Sequence, residues 1–162
     1  MCSTAAKCCI LLRMRVSLIH VGARIPGKDA YESLTRQYLD RCQSFAECQV
    51  EAFATEKAWL DWLTRREART NPVVAILDSQ GRTMASEAFA AWLGGRRDEG
   101  VQHIVFAIGP ASGWSDAARQ RANLKLSLGP MTMAHALARL VMAEQIYRAF
   151  TILSGHPYHS GH

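Results

Sequence analysis

The sequence predicts an α/β domain built on a mostly parallel sheet flanked by helices, and three observations predict it. Short β-type runs alternate with longer helical patterns along the chain. Two of those runs, residues 73–77 and 104–108, are apolar throughout, as strands covered on both faces are. Several runs end in loops rich in glycine and proline. With 162 residues, 49% hydrophobic and 20% charged, the chain matches one compact domain with a core of its own. No repeat, low-complexity tract or linker divides it.

Taken in order, the first strand is Arg15-Val-Ser-Leu-Ile-His-Val21, closed by Gly22. Over residues 29–42, Tyr31, Leu34, Tyr38 and Leu39 recur at helical spacing. Residues 48–53 make a weaker strand, and 56–66 a helix carrying Trp59, Leu60, Trp62 and Leu63. Asn71-Pro72 breaks that helix and opens the clearest buried strand, 73–77, which the turn formers Asp78-Ser-Gln-Gly81 are expected to end. Ser86 precedes a helix with Phe89, Trp92 and Leu93, expected to stop at Gly94-Gly95. The apolar strand 104–108 runs into Gly109-Pro-Ala-Ser-Gly113, after which Ser115 caps a short helix through Ala122. Residues 124–128 form a fifth strand and 132–150 a long final helix.

Composition excludes several classes of function. No apolar run approaches the roughly 18 residues of a membrane span. The patch Cys8-Cys-Ile-Leu-Leu12 behind Lys7 is too short for a signal sequence, and no small-residue cleavage site follows it, so a cytoplasmic protein is expected. Five cysteines (Cys2, Cys8, Cys9, Cys42, Cys48) form no regular framework and no C-x-x-C pair, which argues against a disulfide scaffold and against a metal site. A net charge of +5 favours polyanionic partners, because each phosphate neutralised by Lys or Arg releases counterions.

In open α/β sheets, ligands bind at loops leaving the carboxyl ends of strands. Three such loops stand out: Asp78-Ser-Gln-Gly81, Gly109-Pro-Ala-Ser-Gly113 and Gly129-Pro-Met-Thr132. Glycine lets main-chain groups come close to a ligand, and proline stiffens the loop presenting them. No G-x-G-x-x-G follows a strand and no phosphate-binding P-loop is present, so a dinucleotide or nucleotide fingerprint is lacking. The final helix carries His135, Arg139, Glu144, Tyr147 and Arg148 before the chain breaks into Gly155-His-Pro-Tyr-His159. Termini are usually simple, so a tail with Pro, Tyr and histidines points to docking or chemistry; core filling and solvated charges are the blander account.

From Met14 to His159 the chain resembles the bacterial large-subunit rRNA pseudouridine N3-methyltransferases of the SPOUT superfamily. The residues that carry the resemblance are Met14-Arg-Val-Ser-Leu-Ile-His-Val-Gly22, then Leu77-Asp-Ser-Gln-Gly81 with Ser86-Glu-Ala-Phe-Ala90. They end with Leu126-Ser-Leu, Met131-Thr-Met-Ala-His135, Arg139, Glu144-Gln-Ile-Tyr-Arg-Ala149 and Gly155-His-Pro-Tyr-His159. The resemblance implies a SPOUT-type single domain over residues 14–162 with a C-terminal trefoil knot, and leaves residues 1–13 as an extension without a family counterpart. It implies S-adenosyl-L-methionine as cofactor, held by Leu77, Gly109, Pro110, Gly129, Pro130, Met131, Thr132, Met133 and Ala134. It implies a homodimer acting on large-subunit rRNA of the ribosome, with the tail of one subunit near the cofactor of the other.

Three positions depart from the family pattern. Pro110 stands where a second glycine is usual, as in a SPOUT branch that methylates uridine in small-subunit rRNA. Ala134 replaces a proline before the histidine, and Ser160 replaces a basic residue after Pro-Tyr-His. Methyl transfer to an imide nitrogen needs in-line positioning and loss of the N3 proton. His135, His159 and Glu144 are candidate bases, Arg139 or Arg148 a stabiliser of charge or a phosphate grip, and Tyr158 a partner of the base. Glu144 and Arg148 also stand at the spacing of a plain helix ion pair. Two alternatives stay open: methylation of a different RNA nucleotide, and a non-catalytic RNA-binding or ribosome-assembly factor.

Overall fold

The computed structural model describes residues 13–22 and 29–161. The expected N-terminal extension, residues 1–13, thus lies outside the described residues except for Arg13. Strands β1 (Arg15–Val21), β2 (Glu47–Phe53), β3 (Val73–Thr83), β4 (His103–Ile108) and β5 (Leu124–Ser127) form one sheet in the order β2-β1-β4-β3-β5, every neighbouring pair parallel. Helices α1 (Ala30–Cys42), α2 (Glu56–Glu67), α3 (Ser86–Asp98), α4 (Asp116–Arg121) and α5 (His135–Ser154) alternate with them, and a 3-10 turn, Pro157–Gly161, follows. The α/β sheet with covered faces is therefore as the sequence predicts.

Strand alternation divides the interior into two layers. Val16 and Leu18 of β1 with Ile104, Phe106 and Ile108 of β4 face α1, α3 and α5, meeting Leu39, Phe89, Leu93, Met142 and Ile146. Ile19 and Val21 with Val105 and Ala107 face the other way, onto Trp59, Trp62 and Leu63 of α2 and Ala118 of α4. Burial on both faces is what makes residues 104–108 apolar without alternation.

Caps follow the residue types. Asp29 accepts from the Tyr31 N–H, Thr55 from Ala58 and Ser115 from Ala118. Gly155, at φ 70, closes α5, with the His156 N–H returning to the Thr151 carbonyl.

The structure corrects three boundaries. Asp78-Ser-Gln-Gly81 does not end its strand: β3 continues to Thr83, and both Leu77 and Arg82 register against Leu126 of β5 across an irregularity. Gly81 permits that pairing, since a Cβ there would stand 2.7 Å from the Lys125 backbone. Gly94-Gly95 does not stop α3, which runs on to Asp98. Gly94 is buried, and its missing side chain makes room for Leu153 of α5 (2.7 Å from a hypothetical Cβ), so packing between helices overrides a poor helix former. The last helix starts at His135, not 132, because residues 129–134 stay in the loop leaving β5.

Candidate functional site

Strands β4, β3 and β5 lie side by side, so the loops leaving their carboxyl ends converge. They enclose an open cleft of about 330 Å³, within the range of small-molecule sites. Of the residues expected to hold a cofactor, Leu77, Gly109, Pro110, Gly129, Met131, Thr132 and Met133 line it; Pro130 and Ala134 belong to the same loop and are exposed without lining it. His135, the first residue of α5, is half-buried and also lines the cleft.

The two glycines expected at the site differ in their physical roles. Gly129 has φ 124 and nothing within 4 Å of a hypothetical Cβ, so it is glycine for the turn and puts no side chain beside the cleft. Its N–H and carbonyl both bond the Ser127 hydroxyl at 3.2 Å, which fixes the loop's exit from β5. Gly109 is glycine because the Trp114 indole lies against it: a Cβ would fall 2.7 Å from the ring. The Trp114 Nε1–H donates to the Leu77 carbonyl at 2.8 Å, and the ring packs on Trp59 with centroids 4.8 Å apart. Trp114 thereby ties the loop after β4 to β3 and forms the floor of the cleft.

Asp78 and Arg119 also line the cleft, and neither was expected there as a site residue. Asp78 is 8% exposed and accepts from Arg119 Nε at 2.9 Å and from the Gln80 N–H at 2.9 Å. Burial alone would push its carboxyl up, but these hydrogen bonds and the charges of Arg119 and Lys125 outweigh burial and hold it below the usual aspartate value. The signal for Asp78 was its place, a carboxylate directly after the apolar run 73–77. Arg119 had no such signal.

Arg139, expected to stabilise charge or grip phosphate, is 1% exposed, with its Nη2 2.8 Å from Glu32 Oε2 of α1. Burial lowers its pKa, with Glu32 opposing. The buried His20 of β1 faces the same cluster, and burial, followed by the charges of Arg139 and His135, lowers its pKa and favours the neutral ring.

Glu144, Tyr158 and His159 form a second centre away from the cleft. Nine residues separate His135 from Glu144 along α5, about 13 Å. Arg148 grips Glu144 through Nη2 at 2.6 Å and Nε at 2.9 Å, which is the helix pair the spacing allows, and the hydrogen bonds raise the Arg148 pKa. The Tyr158 hydroxyl donates to Glu144 at 3.1 Å, and its pKa is raised first by burial and then by its Tyr38 and Glu144 neighbours. Arg148 Nη1 lies 3.2 Å from His159 Nδ1, whose Nε2 stands 2.9 Å from Glu87. The tail is thus docked on α5 of its own chain as a 3-10 turn.

Among the described residues no group of three or more His, Cys, Asp or Glu could hold a metal ion, and no helix is long and apolar enough to cross a membrane.

The sequence and fold have known counterparts. Residues 14–159 match the family model described as "Predicted SPOUT methyltransferase". A protein of Koribacter versatilis named ribosomal RNA large subunit methyltransferase H is 41% identical over 149 residues, covering 92% of this chain and 100% of that one. A protein of the same name from Rhizobium etli is 37% identical over 160 residues, covering 90% of this chain and 99% of that one. Among solved structures, a probable methylase family protein from Haemophilus influenzae superposes with a TM-score of 0.55 at 11% identity, covering 92% of this chain and 71% of that one. The SpoU methyltransferase AviRb from Streptomyces viridochromogenes, solved with the cofactor AdoMet, superposes with a TM-score of 0.52 at 16% identity, covering 88% of this chain and 59% of that one. At these identities the two structures speak for the fold, and the family match with the whole-length relatives settles membership: the chain belongs to the SPOUT methyltransferase family.

Proposed function

We propose that this chain is an S-adenosyl-L-methionine-dependent methyltransferase of large-subunit rRNA, acting as a cytoplasmic homodimer on N3 of a pseudouridine. The observation that carries the reading is the convergence of Leu77, Gly109, Gly129 and residues 131–133 in one cleft at the carboxyl ends of β3, β4 and β5. Full-length relatives named as large-subunit ribosomal RNA methyltransferases support the rRNA methyl-transfer part of it. The knot that the family resemblance implies is part of the same proposal.

The cleft fits the cofactor. The absence of a side chain at Gly129 lets an adenosine approach the loop closely, while Ile108, Leu126 and Met133 offer apolar contact to its rings. When bound, S-adenosyl-L-methionine supplies an electrophilic methyl on its sulfonium. This chain's own contribution is position and proton control. His135 stands at the cleft and is the candidate group to take the N3 proton, and Arg119, oriented by Asp78, is the cleft's candidate to stabilise developing negative charge. Arg139 braces α1 against α5 and acts by positioning.

Glu144, Tyr158 and His159 do not reach the cleft of their own chain, so they serve the cofactor site of a second copy in this reading. Exposed apolar side chains, Tyr31 and Leu34 on α1 and Leu137 on α5, support a homodimer interface. Pro110 at the cleft is the one observation favouring a different target nucleotide, since it changes the loop beside the methyl donor.

The test combines calorimetry with S-adenosyl-L-methionine and mass mapping of rRNA from a strain lacking the chain. Binding in the cleft together with loss of one methyl from a large-subunit pseudouridine is the expected result. Loss at a small-subunit nucleotide would move the target, and absence of cofactor binding would make the protein a ribosome-binding factor.

A further inference from the structure

At the amino ends of the strands, opposite the cleft, Arg15 of β1 and Arg65, Arg66 and Arg69 of the α2 terminus line a groove of about 590 Å³ with Trp62 and Thr70. Arg65 and Arg69 are exposed, and among the described residues neither pairs with a carboxylate; the adjacent Glu67 is taken by Arg121 at 2.7 Å. Arg15 is held by Glu47 at 3.2 Å. The Arg66 guanidinium stacks 4.7 Å over the Trp62 ring, an arrangement that leaves its in-plane N–H donors for an anion.

Cations in the last turn of a helix answer the helix dipole, and that accounts for Arg65 and Arg66. It does not account for Arg69, which lies past the end of α2, or for Arg15 on a strand. With Arg15 answered by Glu47, the exposed Arg65 and Arg69 still leave a surplus of positive charge in the groove, a cost that an anionic partner offsets. Their field reaches inward: burial first, then the charges of Arg15 and Arg66, hold the neighbouring His103 down to about 4.

We propose that Arg15, Arg65, Arg66 and Arg69 form an accessory RNA-binding surface that grips backbone phosphates at the end of the molecule opposite the cofactor cleft. Trp62 is 8% exposed and covered by Arg66, so it offers no face for a base to stack on, and recognition is through phosphates without regard to sequence. The identity of the polyanion as RNA rests on the proposed rRNA substrate. The surface lies the length of β1, seven residues or about 20 Å, from the cleft. A short RNA filling the cleft does not reach it, and a large RNA does.

The test measures binding of the full chain to long polyuridylate across a salt series, comparing wild type with the double variant Arg65→Gln, Arg69→Gln. Affinity for the long RNA is expected to fall, with the salt slope shallower by about 0.7 for each phosphate that is no longer gripped, while melting temperature and S-adenosyl-L-methionine affinity stay unchanged. The Lys pair, Arg65→Lys with Arg69→Lys, should keep most of the slope. An unchanged slope for the long RNA overturns the proposal, as does weakened binding to polyglutamate with polyuridylate unaffected, which would assign the groove to an acidic protein. If the wild type transfers no methyl to ribosomes yet the slope still falls in the Gln variant, the functional reading fails and the phosphate surface stands.

Discussion

Arg139 Nη2 of α5 lies 2.8 Å from Glu32 Oε2 of α1, and this buried pair joins the two helices one turn along α5 from His135 at the cleft. A second arginine, the exposed Arg36, holds the other carboxylate oxygen at 2.7 Å. Removing one partner leaves an uncompensated buried charge, so Glu32→Ala should cost about 3–5 kcal/mol in urea unfolding. The double variant Glu32→Leu, Arg139→Met should recover most of that loss and retain cofactor affinity. If that double variant folds and binds cofactor but transfers no methyl, Arg139 touches substrate and is more than a brace.

The two cleft glycines should separate binding from stability. Gly129→Val strains a backbone at φ 124 in an open loop, so S-adenosyl-L-methionine affinity should fall at least about tenfold with little change in melting temperature. Gly109→Val must displace the Trp114 indole, so affinity and melting temperature should fall together. Calorimetry and thermal melts on both variants check this. Equal melting temperatures for the two would show that Trp114 does not depend on Gly109.

His103 makes stability pH-dependent. It is 1% exposed, its Nε2 lies 2.9 Å from the Ser17 hydroxyl, and its pKa is lowered to about 4, chiefly by burial. The unfolded chain binds this proton near the ordinary value of about 6.5, so between those two values the unfolded state holds more protons. Stability is therefore full above about 6.5 and falls as pH drops toward 4, by up to roughly 3 kcal/mol from this group. Unfolding of His103→Gln should show a flatter pH dependence over that window, and an identical slope would acquit the histidine.

The tail should be needed for substrate and not for cofactor. Deleting residues 155–162 removes Tyr158 and His159 from Glu144 and Arg148 without touching the cleft. Methyl transfer to ribosomes should disappear with cofactor affinity kept. A mixed dimer, one subunit truncated and the other carrying Gly129→Val, should regain turnover if tails act across the interface. It should be inactive if they act within their own subunit, and substantial turnover by the truncated homodimer would remove the tail from the active site.

The class of fold and most of the loops that line the cleft were legible in the chain alone, because both depend on local chemistry. Apolar runs such as 104–108 are intelligible only as strands buried on two faces, and Gly-Pro loops following such strands fall at carboxyl ends by the geometry of a parallel sheet. Ser115 marked its helix start for the same local reason, while the caps Asp29 and Thr55 came with the structure. Relationships between residues far apart in the chain came only with the folded molecule. Gly94 reads as a stop until Leu153 is packed against it, and Asp78-Ser-Gln-Gly81 reads as the end of a strand until β5 pairs with Leu77 before it and Arg82 after it. Arg139 reads as a free cation until α1 brings Glu32 beside it, and Asp78 meets Arg119 only across the cleft. Burial and pairing set the energy of a charge or a glycine, and both are decided by neighbours that local sequence does not contain.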